Sequence, residues 1–135
     1  MDMKQYVNER IAANMFLKYL GMQSVHVAAG EFEGRLEIEQ HHLQQDNFVH
    51  GGVIASMLDI ASGFASYSLL QPPQRCLTVE IKVSYLNPGV GRILQCKGWV
   101  IKSGSRLHFV ESEVYYLNEN NKKIVAKASA TMAIV

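Results

Sequence analysis

Asp59 is the one fully charged side chain between Asn47 and Gln74, in the stretch NFVHGGVIASMLDIASGFASYSLLQPPQ. Its neighbours Val53, Ile54, Met57, Leu58, Ile60 and Phe64 are apolar, and most of the rest are Ala, Ser or Gly. A carboxylate buried there is costly unless partnered, because burial disfavours its charged form. That marks Asp59 as a functional candidate. Upstream stands His50-Gly51-Gly52, where a helix is expected to begin. Two glycines there permit unusual backbone angles and leave amide N–H groups uncovered at the positive end of the helix dipole. Such donors suit a carbonyl oxygen that is gaining negative charge. A carboxylate near an oxyanion site is equipment for hydrolysing an acyl compound, by activating water or by attacking directly. The same residues also fit a plain Gly-Gly turn followed by an Asp that caps or pairs.

The elements that position these groups follow from periodicity. Met3 to Leu20 has apolar positions at Tyr6, Val7, Ile11, Phe16, Leu17 and Leu20, which predicts a weakly amphipathic helix stopped at Gly21. Met22–Ala29 and Glu31–Gln40 read as strands on either side of Gly30. In the second of them Phe32, Leu36 and Ile38 alternate with charges, the pattern of a strand with one wet face. The long apolar helix comes next and ends before Pro72-Pro73. Four more strands are expected, over Leu77–Leu86, Arg92–Ile101, Arg106–Leu117 and Lys123–Val135. In the first of these Leu77, Val79, Ile81, Val83 and Tyr85 alternate with Thr78, Glu80, Lys82 and Ser84, and Asn87-Pro88-Gly89 turns the chain after it. A helix apolar on nearly all sides must be buried nearly all round, and one curved antiparallel sheet wrapped about it would do so. The small residues Ala55, Ser56, Ala61, Ser62, Gly63, Ala65 and Ser66 would let strands or a second subunit approach closely. The expectation is one α+β domain over residues 1–135.

Composition narrows the partners. Thirteen Lys and Arg against 12 Asp and Glu give a net charge of +1, which offers no basic excess for nucleic acid. Cys76 and Cys96 lack metal-ligand spacing and read as reduced cysteines of a cytoplasmic protein. The N-terminal residues lack the pattern of a secretory leader. Gly51–Leu70 is long enough to raise the question of a membrane span, but a central Asp costs about 3 kcal/mol on insertion. A buried helix in a protein with no membrane partner is the better reading. His26, His41, His42 and His108 show no metal spacing and read as surface residues. Trp99, Phe109 and Tyr115 read as core or interface.

The run His50-Gly51-Gly52-Val53-Ile54-Ala55-Ser56-Met57-Leu58-Asp59, with Ala61 and Gly63, resembles the signature of hotdog-fold thioesterases of the PaaI type. The segment from Thr78 to Pro88 resembles that family's third strand and its Pro turn. The resemblance covers most of the chain, from about Gly30 onward. It implies a long central helix wrapped by a single antiparallel sheet, and hydrolysis of an acyl-CoA to CoA and a carboxylic acid. Asp59 then matches the catalytic acid, as base or nucleophile, and the Gly51 N–H matches the group that polarises the thioester carbonyl. His50 matches a residue that shapes the turn, with Gly52 beside it. Gln44 stands where many relatives carry an Asn in contact with water or thioester, and Asn47 is an alternative inward-reaching amide. Thr78 matches a Ser or Thr that enters the site from the partner subunit. Lys102, Ser103, Gly104, Ser105 and Arg106 match a turn near the CoA phosphates. The resemblance further implies a site between two subunits, a homodimer pairing into a tetramer, and no metal or redox cofactor. A hotdog module that binds acyl-CoA without turning it over is the alternative. A buried lone carboxylate counts against it, because binding alone does not call for one.

Overall fold

The computed structural model describes every residue, Met1–Val135. Two short helices open the chain, α1 (Met3–Ala12) and α2 (Met15–Leu20), where the sequence pattern predicts one. The break falls at Asn14, whose backbone is extended and whose side-chain oxygen accepts the Leu17 N–H at 2.9 Å. Asn competes with the helical backbone for hydrogen bonds and so favours a cap over a helix interior. Asp2 caps α1 in the same way, accepting from the Gln5 N–H at 2.8 Å. Gly21 stops α2 as expected, in the left-handed conformation (φ +87°) that brings its N–H to the Leu17 and Lys18 carbonyls.

The long helix α3 (Gly51–Tyr67) is wrapped by strands β1 (Met22–Ala28), β2 (Glu31–Glu37), β3 (Cys76–Tyr85), β4 (Ile93–Ser103), β5 (Leu107–Asn118) and β6 (Asn121–Ile134). All six pair antiparallel in the order β1-β2-β4-β5-β6-β3. This is the hotdog arrangement, an α+β fold of one sheet curved about one helix. On the outer face Glu33, Lys97, Glu113 and Lys127 lie in register across four strands, an alternating charge ladder. That is the wet face expected from the period of β2.

The inner face holds α3 tightly. A Cβ added at Gly98 of β4 would lie 2.4 Å from the Ala61 carbonyl oxygen, so the helix backbone rests directly on the strand. Two buried serines join α3 to β5: Ser62 and Ser112 both donate to the Leu58 carbonyl, at 2.8 and 3.2 Å. Burial nearly all round holds for the C-terminal half of α3, where Gly63 is the one residue short of full burial, but not for its first half. Gly52, Ser56, Asp59 and Gly63 keep some exposure, and their spacing places them on one stripe.

β3 is an edge strand, and its clean alternation in sequence is broken in space. Thr78 pairs with Met132 and Glu80 with Thr131, which leaves Val79 as a bulge. Beyond it Ile81 and Val83 pack on the core as the alternation predicts. Before it the phase is reversed. Leu77 and Val79 are each 63% exposed, Cys76 is buried, and Thr78 faces α3. A bulge re-aims side chains in just this way.

Two histidines expected at the surface are buried. His42 (2% exposed) sits in a 3-10 turn, Gln40–His42, and His108 (3% exposed) lies on the inner face of β5. Each finds a partner that the sequence does not reveal. His42 Nε2 lies 2.7 Å from the Leu20 carbonyl, and His108 Nδ1 lies 2.6 Å from Ser66 Oγ. No helix is long and apolar enough to cross a membrane.

Candidate active site

The start of α3 is anchored from three sides. The Val49 N–H bonds the Gly89 carbonyl at 3.0 Å, so the Asn87-Pro88-Gly89 turn holds the approach to the helix. The His50 N–H bonds the His42 carbonyl at 2.8 Å. His42 is itself fixed: its Nδ1 accepts the Glu39 N–H at 2.9 Å, so Nε2 carries the proton given to Leu20. The third anchor is Tyr85, whose hydroxyl donates to the Gly51 carbonyl at 3.0 Å. A Cβ on Gly51 would lie 3.5 Å from the Tyr85 ring, so the ring packs flush against this turn.

Of the free donors at this helix end, Gly52 N–H is taken by His50 Nδ1 at 2.8 Å. The His50 side chain thus caps the first turn of α3. The Gly51 N–H finds no acceptor within the chain. One backbone donor therefore stands open where the helix dipole is positive.

Two turns along, Asp59 is half-buried, and Oδ1 accepts a 2.6 Å hydrogen bond from Thr78 Oγ1. The carboxylate is thus partnered within its own chain, by a residue that the family resemblance assigns to the other subunit. Asp59 and Thr78 open onto a cavity of about 230 Å³, walled by Ile60, Phe64, Tyr67, Cys76 and Met132. Larger hollows of about 430 and 450 Å³ lie on the sheet's outer face around Lys97 and Tyr115, away from both residues. The Cys76 thiol in the cavity wall is pushed up to about 11, chiefly by burial, and Asp59 adds to the rise. It stays a neutral thiol near neutral pH. Burial also lowers the pKa of His108 below the ordinary imidazole value.

The other matched residues lie further off. Gln44 Oε1 accepts the Asp46 N–H and lies 3.5 Å from the Phe48 N, so its carbonyl end secures its own loop. Asn47 is exposed at the tip of that loop, with the left-handed backbone (φ +65°) that Asn tolerates. Lys102, Ser103, Gly104, Ser105 and Arg106 form the exposed β4–β5 turn, closed by the Gly104 N–H on the Leu107 carbonyl at 2.8 Å. Ser103, His108, Met132 and Thr78 share one row across the sheet. The turn is therefore level with Thr78, three strand spacings or about 14 Å away.

Asp59 and Thr78 come together, and so do His50, Gly51 and Gly52. The two sets do not meet within one chain, since eight residues of helix separate Gly51 from Asp59 by about 12 Å. The sequence pattern singles out neither Tyr67 nor Tyr85, the second of which it reads as an ordinary apolar strand position.

The profile of the thioesterase superfamily matches residues 46–121, a span holding the helix start, Asp59 and Thr78. The chain belongs to the thioesterase superfamily. A thioesterase family protein of Silicibacter pomeroyi has a similar structure, with a TM-score of 0.96 at 28% identity over 98% of both chains. A Bacillus halodurans protein solved with CoA gives a TM-score of 0.83 at 26% identity, over 98% of this chain and 88% of that one. The medium/long-chain acyl-CoA thioesterase YigI of Escherichia coli is 28% identical over 101 residues, covering 65% of this chain and 63% of YigI. Superfamily membership makes thioester hydrolysis the activity class of this protein.

Proposed function

We propose that this thioesterase-superfamily protein hydrolyses acyl-CoA to CoA and a carboxylic acid, with Asp59 as the catalytic carboxylate. The Thr78–Asp59 hydrogen bond at the mouth of an apolar cavity carries this reading. It fixes one carboxylate oxygen and leaves Oδ2 for a water. Asp59 takes a proton from that water as its oxygen attacks the thioester carbon. The negative oxygen of the tetrahedral intermediate rests on a Gly51 N–H, backed by the helix dipole. Collapse breaks the C–S bond, and the departing CoA sulfur receives the proton from Asp59. No metal or redox group takes part, and coenzyme A enters as part of the substrate.

One carbonyl cannot touch Asp59 and Gly51 of the same helix across about 12 Å. In this reading the Gly51 N–H comes from a second copy of the chain. The edge position of β3, with Leu77 and Val79 exposed, and the open stripe on α3 favour such a partner. A homodimer is the smallest assembly that completes the site, and the tetramer implied by the resemblance would be built from it. Lys102 and Arg106 form no ion pair within the chain. At about 14 Å from Thr78, they suit phosphates at the far end of the pantetheine arm. The alternative in which Asp59 attacks directly is separated by a single turnover in ¹⁸O-water. Direct attack forms an Asp59–acyl mixed anhydride, revealed by label in the Asp59 side chain when water opens it at the Asp carbon and by hydroxylamine trapping when water opens it at the acyl carbon. Attack by water puts label in the acid product with no trappable anhydride.

The test is CoA release from a panel of acyl-CoAs by wild type and Asp59→Asn. Loss of a general base predicts a fall in kcat of about 100- to 10,000-fold, with fold and assembly retained. Unchanged turnover would remove Asp59 from the mechanism. Tight acyl-CoA binding without turnover by the wild type would make the protein a binding module.

A further inference from the structure

Gly63 lies in the interior of α3, one turn beyond Asp59 and one turn before Tyr67. Glycine is the least favourable helix-interior residue after proline, so its presence there calls for a cause. At Gly98 the cause is contact, since an added Cβ would strike backbone at 2.4 Å. At Gly63 there is none: the nearest atom to an added Cβ is Met132 Cε at 3.9 Å, and the backbone angle is ordinary. What the missing side chain leaves is space. Gly63 lines the cavity that begins at Asp59 and Thr78.

Tyr67 also lines that cavity, two helical turns along from Asp59, and is 9% exposed and held on several sides. Its ring meets Tyr6 edge-on at 5.9 Å and Phe64 at 6.2 Å. The Arg10 guanidinium lies 5.2 Å from the ring centre, and its Nη2 donates to the Tyr67 hydroxyl at 3.3 Å. A ring so fastened is a firm stop.

We propose that Gly63 and Tyr67 set the acyl size this protein accepts, Gly63 by keeping the groove open and Tyr67 by ending it. The inference takes its ligand from the acyl-CoA reading above. From Asp59 to Tyr67 is eight residues, about 12 Å of helix. A fully extended backbone advances roughly 1.2 Å per bond, so the groove suits acyl groups of up to about eight to ten carbons. Longer chains meet the Tyr67 ring.

The experiment compares kcat/KM for butanoyl-, octanoyl- and dodecanoyl-CoA in wild type, Gly63→Ala, Tyr67→Leu and Arg10→Met, with assembly state measured for each. Gly63→Ala should lower the octanoyl-to-butanoyl ratio about tenfold or more, the scale on which one methyl group discriminates. Tyr67→Leu should raise the dodecanoyl-to-octanoyl ratio by a similar factor. Arg10→Met, which unfastens the ring without removing it, should shift the same ratio by less. Unchanged ratios in Gly63→Ala and Tyr67→Leu would overturn the proposal. So would an equal loss for every chain length in Gly63→Ala together with a dissociated assembly, which would mean the glycine serves a partner helix. Calorimetric binding of the same acyl-CoAs to the Asp59→Asn protein tests the groove apart from hydrolysis. Length-ordered binding supports the groove even if the wild type turns over nothing, and binding that ignores length overturns it.

Discussion

Tyr85 on the edge strand β3 donates its hydroxyl to the Gly51 carbonyl at 3.0 Å, tying the border of the sheet to the first turn of α3. The bond sits one peptide unit from the open Gly51 N–H, so it governs where that donor points. Tyr85→Phe keeps the ring packing and removes the bond. A neutral hydrogen bond contributes about 1 kcal/mol, and the same loss in the transition state is roughly fivefold in rate. Steady-state kinetics should show that fall mainly in kcat, and an unaltered kcat would assign Tyr85 to packing alone.

Thr78 holds the Asp59 carboxylate, and a hydrogen bond to a charged group contributes about 1.5 to 3 kcal/mol. Thr78→Ala is expected to lower kcat about 10- to 100-fold. Thr78→Ser retains the hydroxyl and should recover most of the loss. Equal impairment of both variants would show that the methyl group matters and the hydroxyl does not.

The two inward-facing glycines should answer differently to the same change. Gly98→Ala drives a Cβ against the Ala61 carbonyl, an overpacking that costs about 1 to 3 kcal/mol or more. Gly63→Ala meets only Met132 Cε, at an ordinary contact distance of 3.9 Å, and gains helix propensity, up to about 1 kcal/mol. Urea denaturation of the two variants measures the contrast, and equal midpoints would contradict the packing described.

His108 makes stability depend on pH. Burial holds its pKa below the ordinary value of 6.5, so on acidification the folded protein takes up fewer protons here than the unfolded chain. Unfolding free energy therefore falls as pH drops. This contribution is fully present above 6.5 and is lost below it until the folded pKa is passed. Denaturation at pH 8 and pH 5 should show lower stability at pH 5, with a smaller difference in His108→Gln. An identical pH difference in the variant would place the effect elsewhere.

Much of this was legible in the residues. The element order, the long apolar helix, its lone carboxylate and the glycine pair that opens it all follow from period and residue type. Asp59, read as a charge without a partner, has one in Thr78, and the reason for the misreading is the bulge at Val79. An extra residue in a strand leaves no mark on an alternation that remains perfect on paper. The histidines were hidden for another reason. Burial of His42 and His108 depends on a carbonyl 22 residues away and a serine 42 residues away, pairings that local pattern does not contain. The helix break at Asn14 was visible in principle, since Asn favours a cap.

The bulge also divides β3 into two halves that answer to different constraints. Ile81 and Val83 keep the parity of the core, while Cys76 and Thr78 keep the parity of the site. Val79 acts as a phase shifter between them, much as a single inserted base shifts the frame of every codon after it. Deleting it would restore one continuous parity and turn Thr78 away from Asp59, with neither of those two side chains altered. The Thr78–Asp59 pairing is thus encoded partly in the count of residues along a strand, a property that comparing side chains position by position would miss.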